Sequence, residues 1–380
     1  LVTAGCAAAA AIAAGLVRQF SPEASGSGIP HVEAVLSGDL PPAKFSLLPV
    51  KFMGGILAMG SGLALGREGP SVQLGAGVAR LTANLFRRNW PDCRALLAAG
   101  AGAGLATAFN NAPIAGSIFV LEELVRRFET RMAIAGLGAS ATAIAVARVF
   151  LGDAPDFKVQ PFPYPPWQIG ALFFVLGGVA GLVAVAYNRT LLATLAAAER
   201  LRRWPVEVRA AVVGVTVGTI AWFEPGLVGG GESLTQRTLA GTEALALVPL
   251  VFLLRFALGA VSYATQTPGG LFAPLLVLGA QLGLVFGALC QHAFPGWKVQ
   301  PEAFAVVGMA AFFTGVVRAP VTGIVLIIEM TGSFSTLLSM LGACFTAMLV
   351  ATLLRNPPIY DSLRESTVRR FRICRTSKGP

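Results

Sequence analysis

Long apolar stretches that contain glycine and proline, rather than being separated by them, constrain this chain more than any other feature. Residues 1–17, 132–151, 169–187, 210–223, 245–261, 271–289 and 337–354 are predominantly apolar. A helix needs about 20 such residues to cross a hydrocarbon core, so the longer stretches read as spans and the shorter ones as buried or half-crossing helices. Small residues let membrane helices approach closely. A helix broken at membrane depth is tolerated only inside protein or around a cavity. The 44 glycines and 24 prolines therefore favour a transporter or channel over a simple anchor. Charge agrees with this, since only 13% of the 380 residues are Asp, Glu, Lys or Arg, about half the share usual in a soluble domain.

The net charge of +10 comes largely from Arg87–Arg88, Arg126–Arg127, the group Arg200, Arg202 and Arg203, and the tail from Arg369 to Arg375. Clusters of this kind read as cytoplasmic loops under the positive-inside bias. No aromatic-basic surface accompanies them, so nucleic acid is not an expected partner. The cysteines (Cys6, Cys93, Cys290, Cys344 and Cys374) show no metal-ligand spacing, and His31 and His292 stand alone. Neither a metal, a disulfide nor another cofactor is expected. The chain opens inside an apolar run without a cleavable signal pattern, which predicts further residues upstream.

Aligned on itself at an offset of 204, the chain repeats. Lys51-Phe52 and Gly55 meet Arg255-Phe256 and Gly259, Gly66 meets Gly270, Pro70 meets Pro274, and Leu74-Gly75-Ala76 meets Leu278-Gly279-Ala280. At an offset of 207, Ala112-Pro113-Ile114-Ala115-Gly116 and Glu122 meet Ala319-Pro320-Val321-Thr322-Gly323 and Glu329. Two copies of one membrane unit are a transporter signature, with the substrate at their interface. These matches fix the order of the copies but not whether they are parallel or inverted. The expected division is a first repeat over 1–152, a linker over 153–167, and a second repeat with a short tail over 168–380. The stretch 167–204 has no counterpart in the first half, so at least one long helix is expected to precede Leu1.

Four motifs interrupt the apolar background: Gly26-Ser27-Gly28-Ile29-Pro30, Gly66-Arg67-Glu68-Gly69-Pro70, Gly270-Leu271-Phe272-Ala273-Pro274, and Tyr360 after Asn356-Pro357-Pro358-Ile359. In the first three, glycine exposes backbone N–H groups and proline suits the first turn of a helix. A helix N-terminus offers unpaired donors and roughly half a positive charge. Several such ends converging at mid-membrane could replace the hydration shell of an anion while leaving it weakly enough held to escape. Glu68 sits at one of these ends. Its carboxylate can act as a tethered competitor for the anion, released when protonated, and an ionisable residue in a membrane is a functional candidate by default.

In this order, the motifs strongly resemble the chloride channel/transporter (CLC) family, over residues from Ser25 to about Ser362. The resemblance implies an all-α polytopic membrane fold of two inverted repeats of tilted and half-crossing helices. It also implies a homodimer with a separate anion path in each subunit. Chloride would be held by the hydroxyls of Ser27 and Tyr360 and the backbone amides of Leu271 and Phe272. Glu68 would be the gate and the external proton group. Gly26, Gly28, Pro30, Gly66, Arg67, Gly69, Pro70, Gly270 and Pro274 would support the motifs, Arg67 structurally, and Ser27 could also cap its own helix. Glu123 matches the family's inner proton-transfer glutamate. Under the repeat it faces Met330, whereas Glu122 faces Glu329, so the latter pair reads as scaffold. Chloride/proton antiport in a bacterial inner membrane is the expected activity, and Ser27 favours chloride over nitrate or fluoride. A passive chloride channel is the alternative. An intramembrane serine hydrolase built on Gly26-Ser27-Gly28 would need His31 or His292 as partner.

Overall fold

The computed structural model describes residues 1–109, 111–152, 154–201 and 203–376, the side chains of 373–376 excepted. Asp153, Arg202 and the side chains of Cys374 and Arg375 lie outside the described residues. Among the described residues there are sixteen α-helices and no β-strand. The first seven are α1 (Val2–Phe20), α2 (Ile29–Leu36), α3 (Leu47–Gly60), α4 (Glu68–Leu85), α5 (Trp90–Ala108), α6 (Pro113–Phe119) and α7 (Thr130–Leu151). A 34-residue helix, α8 (Trp167–Arg200), follows. The series then returns as α9 (Val206–Phe223), α10 (Glu232–Leu239), α11 (Val248–Tyr263), α12 (Phe272–Ala293), α13 (Pro301–Val317), α14 (Pro320–Thr331) and α15 (Leu337–Leu353), closed by α16 (Ile359–Thr376).

Five helices (α1, α7, α8, α9 and α12) are long and apolar enough to cross a bilayer. The stretches 245–261 and 337–354 become α11 and α15, of 16 and 17 residues, and so fall in the shorter class. Helix α13 lies outside the apolar stretches picked from sequence, yet it is buried from Phe304 to Val317. Pro301 and Glu302 at its start and Arg318 after its end shorten the apolar run, while α8, α12 and α15 enclose it.

Each half is stitched at a glycine crossing. Gly75 of α4 packs on Gly100 of α5, and Gly279 of α12 on Gly308 of α13. A methyl group on Gly279 would stand 2.6 Å from the Gly308 carbonyl oxygen, so these backbones approach as only small residues allow.

The two halves are inverted. Glu122, just beyond the end of α6, accepts from the amides of Val321 (3.0 Å) and Thr322 (2.6 Å) and from the Thr322 hydroxyl (2.7 Å) at the start of α14. Glu329, near the end of α14, accepts from the amides of Ile114 (3.0 Å) and Ala115 (2.8 Å) at the start of α6. Each carboxylate caps the other repeat's helix, which requires α6 and α14 to run antiparallel about a pseudo-twofold axis. Gly66 and Gly270 lie on the same axis and exchange both backbone hydrogen bonds, at 2.9 and 2.6 Å. The repeated cations are also equivalent. Lys51 Nζ donates to Ala24 O (3.0 Å) and Gly26 O (2.7 Å), while Arg255 donates to the carbonyls of Leu227, Gly229 and Gly230 at 3.1, 2.8 and 3.1 Å. Each buried cation thus holds the loop that precedes a short helix, α2 or α10.

Candidate functional site

Three helix beginnings are drawn together by the backbone of their own motifs. Gly26 N donates to Thr267 O (3.1 Å) and Gly269 N to Gly26 O (3.0 Å), which ties the loop before α2 to the loop before α12. The Gly66–Gly270 exchange ties the loop before α4 to the same place. Gly26 and Gly28 hold φ of +64° and +83°, a left-handed conformation that costs glycine little. Gly69 lets α4 approach α2: a methyl there would stand 2.6 Å from Ser27 O and 2.8 Å from Ser27 Cβ.

What gathers at this point is sealed from solvent, with Ser27, Glu68, Leu271, Phe272 and Tyr360 each 0% exposed. The Ser27 Oγ accepts from the Ile29 amide at 3.1 Å; Gly28, not Ser27, is the N-cap of α2, and accepting this bond does not use the Ser27 O–H proton. The first intrahelical bond of α12 runs from Leu275 N to Leu271 O (3.0 Å). The amides of Leu271 and Phe272 precede it and are left for other acceptors. Tyr360 opens α16, and its ring stacks on Phe272 with centroids 6.2 Å apart and planes 29° from parallel. Phe109, Phe119 and Phe313 pack around Phe272 at 6.2, 5.9 and 4.7 Å. Tyr360 is therefore a core residue, not an aromatic of the membrane surface.

Glu68 is the first residue of α4, and its carboxylate folds back over Gly66 and Gly270; a methyl on Gly270 would stand 3.0 Å from Glu68 Oε2. Neither of its oxygens has a hydrogen-bond partner among the described residues, and neither does the Tyr360 hydroxyl. Two polar groups buried without partners beside free helix amides are costly, and such an arrangement suits a site that exchanges ligands. Arg67 is turned toward other partners, and only its charge acts on the carboxylate. Its Nε donates to Ala108 O (2.7 Å), and its outer nitrogen faces Glu232 (3.5 Å) and Asp156 (3.9 Å).

The charges of both Glu68 and Glu123 act on the Tyr360 hydroxyl. Glu123 occupies a π-helical turn (Val120–Leu124) that continues α6. It is 2% exposed, so it is not a solvated helix-end carboxylate. Arg126 faces it at 3.5 Å and also contacts Glu33 (3.3 Å) and Asp361. Sequence reasoning missed this cluster, because its members are drawn from positions 33, 123–126 and 361–364. His31 lines a cleft with Leu36, Phe45 and Arg80, and His292 lies on the exposed end of α12. Ser27 has no histidine partner among the described residues, so the geometry of a serine nucleophile is not assembled.

The voltage gated chloride channel family model matches residues 9–352. The chain belongs to the CLC family. It is 37% identical over 360 residues to the H(+)/Cl(-) exchange transporter ClcA of Vibrio parahaemolyticus, covering 93% of this chain and 77% of that one. Its identity to the ClcA of Cronobacter sakazakii is also 37%, over 365 residues and the same shares. Among solved structures it is similar to a slow cyanobacterial Cl−/H+ antiporter, with a TM-score of 0.92 and 32% identity over 97% of this chain and 87% of that one. A CLC-type fluoride/proton antiporter shares the fold, with a TM-score of 0.76 at 21% identity over 90% and 83%.

Proposed function

We propose that this CLC protein exchanges chloride for protons across a bilayer. Its relatives named as exchange transporters and its similarity to an antiporter structure support the reading. The observation that carries it is the Glu68 carboxylate, wholly buried and without a hydrogen-bond partner among the described residues, where α4 and α12 begin. Chloride is held by the Leu271 and Phe272 amides and by the hydroxyls of Ser27 and Tyr360, four donors without a full countercharge. An ionised Glu68 competes with it for the same electropositive space. Protonation removes that competition, and the carboxyl then leaves the path carrying a proton. Glu123 loads protons from the other side, and the charges of both carboxylates act on the Tyr360 hydroxyl.

The same reading assembles two copies of the chain, each with its own pathway, in a bacterial inner membrane. It takes 1–152 and 168–380 as the two repeats and 153–167 as their linker. The test is Glu68→Gln, which mimics the protonated gate. Chloride flux from liposomes should persist, while its pH dependence and the coupled proton flux vanish. A variant that stops chloride yet keeps the pH dependence would remove Glu68 from the role.

A further inference from the structure

One guanidinium touches the elements that carry both hydroxyl ligands and the inner proton group. Arg126 reaches Glu123 on the π-helical turn (3.5 Å), Glu33 on α2 (3.3 Å) and Asp361 on α16 through the same nitrogen. Helix α2 begins two residues after Ser27, and Asp361 directly follows Tyr360. Arg364, one turn along α16, approaches the same Glu33 oxygen at 2.9 Å and Asp39 at 2.8 Å. Four carboxylates thus share two guanidinium groups. With all four ionised, two negative charges are unmatched within the cluster, and one Glu33 oxygen has no hydrogen-bond partner among the described residues.

The backbone reinforces the arrangement. Arg126, two residues past the end of the π-helical turn, holds φ of +54°, a conformation that a non-glycine residue keeps only where its surroundings enforce it. Burial is graded along the cluster. Glu123 and Glu33 are 2% and 1% exposed, while the Arg126 and Asp361 side chains are 37% and 30% exposed. One end of the network is therefore buried in the core and the other reaches the surface.

We propose that Arg126 is a positioning residue that couples the protonation of Glu123 to the hold of α16 on α2, and so to how closely Tyr360 stands over the anion. This rests on the antiport reading. With Glu123 ionised, Arg126 is shared among three carboxylates. When Glu123 takes a proton, its claim on Arg126 lapses. The guanidinium then settles on Asp361 and Glu33, which sit on the two helices that bring Tyr360 and Ser27 together. The anion path on this side narrows while the proton is loaded and relaxes when it leaves. That alternation prevents chloride from slipping through without a proton. The charges acting on Glu123 are those of Arg126, Glu33, Asp361 and Glu122, with the Tyr360 hydroxyl close by. Of these, only Arg126 is positive, so removing it removes the communication.

The experiment compares wild type, Arg126→Gln, Arg126→Lys and Asp361→Asn in liposomes, reading chloride flux, proton flux and the pH profile of chloride flux. Arg126→Gln and Asp361→Asn should each raise the chloride moved per proton by about threefold or more, the scale expected when one contact of a coupled network is cut. Both should flatten the pH profile, and combining them should do no more than either alone. Arg126→Lys, which keeps the charge but not the reach, should fall between. A purely structural role would lower thermal stability or total flux and leave the ratio at its wild-type value. That result in folded Arg126→Gln, or in Asp361→Asn should the former fail to fold, overturns the proposal. Absence of proton flux in wild type strikes down the antiport reading itself, and it is seen before any variant is compared.

Discussion

Replacing Glu122 by Gln should cost stability without costing proton coupling, although Glu122 is the immediate neighbour of Glu123. The Glu122 carboxylate accepts two backbone amides and one hydroxyl at the start of α14. Glutamine retains a single acceptor oxygen, and its amide group then faces a donor. At least one hydrogen bond to a charged acceptor is lost, worth about 1.5–3 kcal/mol. The favourable charge at the helix N-terminus goes with it, about 0.3–1 kcal/mol. The expected loss is therefore about 2–4 kcal/mol for Glu122→Gln. Glu329→Gln, where only two amides are accepted, should fall toward the lower end of that range. Denaturant unfolding in detergent, followed by tryptophan fluorescence, measures both. A change below about 0.5 kcal/mol, the size of an indifferent surface substitution, would refute the reciprocal caps. Loss of proton coupling in a stable Glu122→Gln variant would show that the wrong member of the Glu122–Glu123 pair has been assigned to protons.

Glu123→Gln should do the converse, abolishing proton flux while chloride still moves, as parallel flux measurements would show; retained coupling removes it from the relay. Ser27→Pro removes the hydroxyl and reshapes the loop before α2, so preference should shift from chloride toward nitrate. Unchanged selectivity in the folded variant would mean that Ser27 does not touch the ion. Gly69→Ala places a methyl 2.6 Å from Ser27 O, against backbone that cannot rotate away, and should cost about 1–3 kcal/mol as overpacking together with weaker chloride binding by calorimetry. Chloride affinity equal to wild type would show that α4 and α2 can part without disturbing the site.

Much of this architecture was legible in the sequence because glycine, proline and charge are conspicuous against leucine and alanine. The self-match at Gly66 and Gly270, and at Glu122 and Glu329, marks pairs that the structure places across the pseudo-twofold axis. The direction of the repeat was not legible in the matches themselves, since matched residues carry order but not orientation. The family resemblance implied inversion, and its physical expression is each glutamate capping the other half's helix. Lys51 and Arg255 were visible as a repeated cation, but their hold on carbonyls some 25 residues earlier depends on how α3 and α11 pack. The burial of Tyr360 is hidden because it begins α16, a helix rich in arginine and glutamate that hydropathy would leave in water. The Arg126 cluster is hidden for a different reason: Glu33, Glu123 and Asp361 are far apart in the chain, and nothing local marks them as neighbours.

Whether the buried carboxylates exchange protons for chloride is decided most directly by the wild-type protein in sealed liposomes. The vesicles are loaded with high chloride, diluted into low chloride at equal pH, and held near zero potential by a potassium shunt. Outward chloride movement should then draw protons inward, so the external medium becomes alkaline with no prior proton gradient, and a protonophore should collapse the change. Chloride efflux with no external alkalinisation, or with acidification once the shunt is withheld, would contradict exchange and make this chain a passive chloride conductor.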